Sequence, residues 1–258
     1  MTVPLDTVTA LLGSWLWPFF RCAALLTAAP LFGAAYVPTR VRLALALTLA
    51  LVLAPVVPAP AVDPFSLAGL LLVLQQVLVG LLLGIAVRLV LVVFDLAGQV
   101  ISQTMGLGFA AMVDPSTGAQ VPAVSQLYLL LASLVFVTLN GHLLMVQVLA
   151  HSFEVVPVGG AGIEIESFWQ LASRAGWVFG AGVLLALPAV TAMLVVNLAF
   201  GVMTRAAPQL NLFAVGFPLT LLMGFVVILL TLPGVLSEVE AVVGEALGFA
   251  SALLVGGP

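Results

Sequence analysis

Residues 64–87 read PFSLAGLLLVLQQVLVGLLLGIAV, a run bounded by Asp63 and Arg88 that holds no charged side chain. A helix needs roughly 20 apolar residues to cross a hydrocarbon core of about 30 Å, so this run alone is of spanning length. Working outward, further charge-free runs occupy 22–39, 43–62, 115–153, 175–204 and 206–237. A closed β-barrel is the other structure that satisfies its backbone inside lipid. It would require polar residues alternating with apolar ones, and these runs do not alternate. The reading is an all-α, polytopic membrane bundle.

Composition agrees. Of 258 residues 64% are hydrophobic and 6% charged, with a mean hydropathy of +1.34. A soluble domain carries about 25% charged residues. The net charge is −4, with Arg the only strongly basic residue, so there is neither the basic stripe of a nucleic-acid binder nor a polybasic lipid-binding segment. Cys22 stands alone, which rules out an internal disulfide and a Cys-rich metal site. Asp6 and the absence of a basic leader predict that the first hydrophobic segment stays attached.

The pattern predicts about six hydrophobic segments, at 8–29, 41–57, 66–105, 123–148, 174–203 and 213–232. The second stops at the Pro55, Pro58 and Pro60 cluster, because proline disfavours helix continuation. Ser167 with Gln170 has the spacing of a capping box. From 234 to 256 apolar residues at 235, 239, 242, 243, 246 and 247 share a face, with Glu238 and Glu245 on another, which predicts an amphipathic helix. Its polar face is acidic, so protein is the expected docking partner rather than membrane surface. The whole of 1–258 reads as a single membrane-embedded helical domain. Counting Arg residues in the short loops places both termini outside.

One stretch breaks the pattern. Residues 106–122, GLGFAAMVDPSTGAQVP, lack helical periodicity and carry one charge, Asp114, beside Pro115. Irregular apolar backbone at membrane depth is tolerated only inside protein or beside a cavity. The segment is therefore expected either to pack inside the protein or to plug a passage, with Gly106, Leu107, Gly108, Phe109, Met112, Val113, Asp114 and Pro115 as candidates.

Catalytic groups are sparse. His142 and His151 have no partner at metal-ligand spacing, and no zinc-protease, serine-hydrolase or phosphate-loop motif occurs. The expected result is no enzyme, no cofactor and no metal. The polar residues singled out are Arg21, Arg88, Asp95, Asn140, His142 and Asn197 inside hydrophobic segments and Arg205 just after the fifth. Charges at membrane depth are costly and face protein or a cavity; interhelical pairing is the plain reading of these seven. Arg88 and Asp95, two turns apart on one helix face, could instead line a transport path.

Ordered motifs add a family. Pro30-Leu-Phe-Gly33 with Pro38 and Arg40-Val-Arg42, Gly106-Leu-Gly-Phe-Ala110 with Asp114-Pro115, and Asn140-Gly-His142 come first. Asn197-Leu-Ala-Phe-Gly201 with Arg205, Pro208-Gln-Leu-Asn211 and 213–218 complete the series. In this order the chain resembles the FliR family, membrane components of the flagellar type III secretion export gate related to injectisome proteins. The resemblance implies a non-enzymatic gate subunit in the bacterial inner membrane at the flagellar basal body, assembled helically with FliP and FliQ and associated with FlhB. It implies that unfolded exported proteins pass transiently and that the loop matching 106–122 helps close the passage. Met112 stands where the family pattern has an aromatic. The resemblance also implies that some hydrophobic helices bury against neighbouring subunits rather than lipid. A stand-alone secondary transporter of a small solute is the alternative, supported by Pro188, Arg88/Asp95 and the glycine-rich interruption.

Overall fold

The computed structural model describes residues 5–58, 60, 62–107, 123–160, 162–206 and 216–255, and their regular structure is helical throughout. Among the described residues seven helices follow one another: α1 Leu5–Ala28, α2 Thr39–Leu53, α3 Leu67–Thr104, α4 Ala123–Thr138, α5 Gly141–Val155, α6 Ile165–Ala206 and α7 Phe217–Val255. By length and composition α3, α6 and α7 can each cross a membrane, and a fourth span is available if α4 and α5 count as one broken crossing. Of the six hydrophobic segments read from the sequence, these account for the third to the sixth.

Local chemistry explains several boundaries. Ser66 caps α3: its Oγ accepts from the Gly69 amide at 3.1 Å, satisfying one of the orphan donors of a helix start. Pro38 precedes α2 in extended conformation, and its carbonyl accepts from Val41 and Arg42. The fourth hydrophobic segment is split because Asn140 takes the left-handed conformation, φ 57°, a conformation Asn visits more readily than most residues. Helix α6 runs unbroken through Pro188.

Three expectations need correction. The fifth segment starts at Ile165, nine residues earlier than its hydropathy suggested, because the polar first turns of α6 continue the same helix. Ser167 does not cap it. That side chain is buried inside the helix and its hydroxyl donates to the Leu253 carbonyl at 2.9 Å. The amphipathic tail is not a separate element either, since it is the second half of α7. Its apolar positions Val235, Val239, Val243, Ala246 and Leu247 are buried, as the periodicity required, and Glu238 and Glu245 are exposed. Glu245 pairs with Arg174 at 2.5 Å, and that guanidinium also lies over the Phe249 ring.

The chain forms two compact units: Met1–Leu89, Asn140–Ala175 and Val243–Pro258 make the first, Val90–Leu139 and Gly176–Val242 the second. In the first, α1 crosses the N-terminal half of α3 at Gly80 and Gly84. A Cβ on Gly80 would meet the Arg21 carbonyl oxygen and come within 2.8 Å of Ala24 Cβ; one on Gly84 would lie 2.7 Å from Ala28 Cβ. Small residues four apart let backbones approach closely in apolar surroundings. In the second unit Phe94, Ala97, Tyr128, Phe136, Ala186 and Met193 are buried.

Candidate functional site

The second unit holds the two described ends of the irregular segment. Helix α3 closes with a Schellman motif. Gly106, at φ 82°, sits in the left-handed position, its amide donates to Gln103 O, and the Leu107 amide donates to Ser102 O, each at 3.1 Å. Asn197 of α6 satisfies a further carbonyl of that helix end, its Nδ2 donating to Thr104 O at 3.2 Å. Met105 is buried against α7, where a Cβ on Gly224 would fall within 2.6 Å of its side chain. Of the candidate plug residues, Gly106 and Leu107 belong to this turn. Gly108, Phe109, Met112, Val113, Asp114 and Pro115 lie outside the described residues.

On the far side Ser125, in the first turn of α4, is fully buried, and its hydroxyl donates to the Asp95 carboxylate of α3. Gly98 makes room for the approach: a Cβ there would stand 2.9 Å from Ser125 N and 3.1 Å from Val124 O. Asp95 thus meets a hydroxyl, whereas Arg88, on the same helix, is exposed and meets no acceptor among the described residues. Hydrogen bonds to charged groups are worth about 1.5–3 kcal/mol. Asp95→Asn and Ser125→Ala are each expected to lower stability by about 1–3 kcal/mol. The double variant should cost little more than either one, because the two side chains act as a pair; unfolding midpoints of the solubilised protein give the cycle.

In the first unit Arg21 is fully buried and meets no carboxylate among the described residues. Its Nε donates to Gln76 Oε1 at 2.8 Å, Nη1 to Ser152 O at 2.8 Å and to Ser152 Oγ at 3.0 Å, and Nη2 to Val156 O at 2.8 Å. The guanidinium carbon lies 4.0 Å from the Phe153 ring centroid. Ser152 and Val156 supply carbonyls at the C-terminal end of α5, where orphan acceptors and the negative end of the helix dipole favour a cation. Five donors in a planar fork match this set.

The remaining polar candidates are dispersed. Asn140 marks the break before α5, its carbonyl accepting from Leu143 and Leu144. His142 follows in the first turn of α5, with Nδ1 buried and unpartnered among the described residues. Arg205 is exposed in the last turn of α6, where a cation suits the helix dipole. The structure gathers these residues into no single centre. Sequence reading passed over Gln76, Ser125, Ser152 and Gly98. Gln76 carried a signal, being polar inside the long apolar α3; small hydroxyl residues and glycines carry none until their neighbours are known.

Comparison with known proteins places these features in a wider set. The model for "Bacterial export proteins, family 1" matches residues 12–253. A flagellar biosynthetic protein FliR of Pectobacterium carotovorum subsp. carotovorum is 40% identical over 217 residues, 84% of this chain and 83% of the relative. The protein of the same description from Escherichia coli (strain K12) is 40% identical over 215 residues, 82% of each chain. That from Bacillus subtilis (strain 168) is 30% identical over 228 residues, 87% of this chain and 88% of the relative.

Proposed function

Because the chain belongs to the bacterial export proteins, family 1, we propose that it forms part of the wall of the flagellar protein export gate and closes that gate with the segment 106–122. It is a membrane-embedded component of flagellar export. The finer reading puts it in the inner membrane with FliP and FliQ as fellow gate subunits, FlhB alongside, and unfolded exported proteins as the passing cargo. Its contribution is steric and non-enzymatic.

The observation that carries the closure reading is the firm hold on both described ends of an apolar segment. The Schellman turn at Gly106 fixes one end, and the Asp95–Ser125 bond fixes the other. Residues 108–122 carry a single charge between them, at Asp114. Irregular apolar backbone is stable at membrane depth only against protein or a cavity. Phe109 and Met112 supply bulk, and Met fills irregular gaps without imposing one geometry, which suits a closure that must part.

Deleting residues 108–118 tests this reading. Cells with an assembled gate should then leak ions or small solutes when export is idle. Unchanged leakage with assembly verified counts against closure. Replacing Phe109 and Met112 by Ala should raise leakage in the same direction, whereas a scaffold around another subunit's passage would show no response.

A stand-alone transporter draws no support from the three relatives above, each described as a flagellar biosynthetic protein. Its structural footing is also reduced. Asp95 is engaged by Ser125, and Pro188 interrupts nothing.

A further inference from the structure

Three holds converge on the last turn of α3, from which the segment 106–122 departs. The Schellman turn at Gly106 satisfies the carbonyls of Ser102 and Gln103 from within that turn. It does not reach the Thr104 carbonyl, and α6 supplies the donor there, Asn197 Nδ2 at 3.2 Å. Beside Met105, α7 supplies a glycine, which lets the two helices come close. A Cβ on Gly224 would stand 2.5 Å from Met105 Cε, 2.6 Å from its Cγ and 2.9 Å from its Sδ. Met105 is fully buried, so other protein atoms close the directions in which it could retreat. All of these residues belong to the second unit.

From this we infer that Asn197 and Gly224 are positioning residues for closure. Through Thr104 and Met105 they set the direction in which the chain leaves α3 at Gly106, so that α6 and α7 govern how the passage is shut. This rests on the closure reading above. The contrast within α6 favours such a role over ordinary helix packing. Thr191 and Thr204, in the same charge-free run, turn their hydroxyls back to carbonyls of their own helix. Asn197 instead directs its amide to the end of another helix. It does so from an exposed position, beside the exposed Leu194, Val195 and Leu198, where the bond is not locked in by a surrounding core. The second hold is adaptable too, because Met packs in several side-chain geometries. Such a grip fixes the root of the segment and can still let go.

The test is potassium leakage from cells holding the assembled gate while export is idle, with the 108–118 deletion as benchmark. Gly224→Val is expected to raise leakage about tenfold, the response to a shift of about 1.4 kcal/mol between closed and open forms, within the usual cost of overpacking. Adding Met105→Ala makes room for the Val and should return leakage to the wild-type range, since volume-conserving exchanges are tolerated best. Asn197→Leu removes the donor at similar size and should also raise leakage, whereas Asn197→Gln keeps an amide donor and should raise it less. Gly182→Val is the control. That glycine also receives α3, a Cβ on it lying 2.8 Å from Leu96 Cδ2, but Leu96 is about three turns before Gly106. It should lower the unfolding midpoint as Gly224→Val does, with leakage at the wild-type level. Equal leakage from Gly182→Val and Gly224→Val overturns the inference, because general loosening of the unit then suffices. Wild-type leakage from both Gly224→Val and Asn197→Leu overturns it as well. Where Gly224→Val blocks assembly, Asn197→Leu decides. If the 108–118 deletion itself stays tight, the closure reading fails; a leaking deletion beside tight Gly224→Val and Asn197→Leu defeats only the positioning role.

Discussion

Arg21→Met is expected to destabilise the protein by about 3–5 kcal/mol, the cost of removing one side of a buried charged network. The substitution keeps an unbranched apolar stem in place and deletes five donors. It strands Gln76 Oε1 and the Val156 carbonyl, and takes one of two partners from Ser152, whose carbonyl keeps the Val156 amide and whose hydroxyl keeps the Leu149 carbonyl. A buried acceptor without a donor costs about 1–3 kcal/mol, and two are left so. Arg21→Lys keeps the charge but not the fork. One ammonium cannot reach Gln76 on α3 and both α5 carbonyls as a planar guanidinium does, so Lys should recover only part of the loss. Gln76→Leu removes one acceptor and should cost about 1–3 kcal/mol. Thermal or denaturant unfolding of the solubilised protein, with intact insertion checked first, gives the series. An Arg21→Met change under about 1 kcal/mol would be in the range of an ordinary surface substitution and would show that the network is dispensable.

How much of this was legible beforehand differs from element to element. The long α3 was readable because nothing in 66–105 breaks a helix, and Ser66 supplies a cap. The buried face of the tail was readable because helical periodicity is a local property. The break at Asn140 was not: Asn-Gly inside an apolar run gives a weak turn signal, and the left-handed residue has to be seen. The number of spans is not legible in the sequence for a physical reason. Hydropathy measures a segment's preference for apolar surroundings and cannot separate lipid from another helix. Arg21 was visible as an anomaly, but its partners were not. They lie 55, 131 and 135 residues away in sequence, and two of its acceptors are backbone carbonyls, which no sequence pattern marks. The Arg88–Asp95 spacing suggested a shared role that the structure divides, giving Asp95 a hydroxyl and leaving Arg88 exposed. For 108–122 the sequence remains the source of the reading, and the structure contributes the anchoring at each end.

Side chains added at Gly80 and Gly84 should produce the other large effect. At Gly80 even a methyl group meets the Arg21 carbonyl oxygen, with Ala24 Cβ at 2.8 Å and Leu25 N at 3.0 Å. Two of these neighbours are backbone, so no rotamer change relieves the clash, and α1 has to move off α3. At Gly84 the obstacles are Leu25 O and Ala28 Cβ, both 2.7 Å away. Overpacking of this kind costs about 1–3 kcal/mol per site, and Gly80→Val should exceed Gly80→Ala. The displacement also carries Arg21 with it, because Arg21 lies on α1 and its Nε partner Gln76 lies on α3. Gly80→Val and Arg21→Met should therefore be strongly non-additive, since the first variant already breaks what the second removes. Gly176→Ala is the control. A Cβ there meets nothing within 4 Å, so the substitution should be neutral or gain up to about 1 kcal/mol from helix propensity. Additive losses for Gly80→Val and Arg21→Met would mean that the α1–α3 crossing and the guanidinium network are independent, and that close packing at Gly80 is not what holds Arg21 to Gln76.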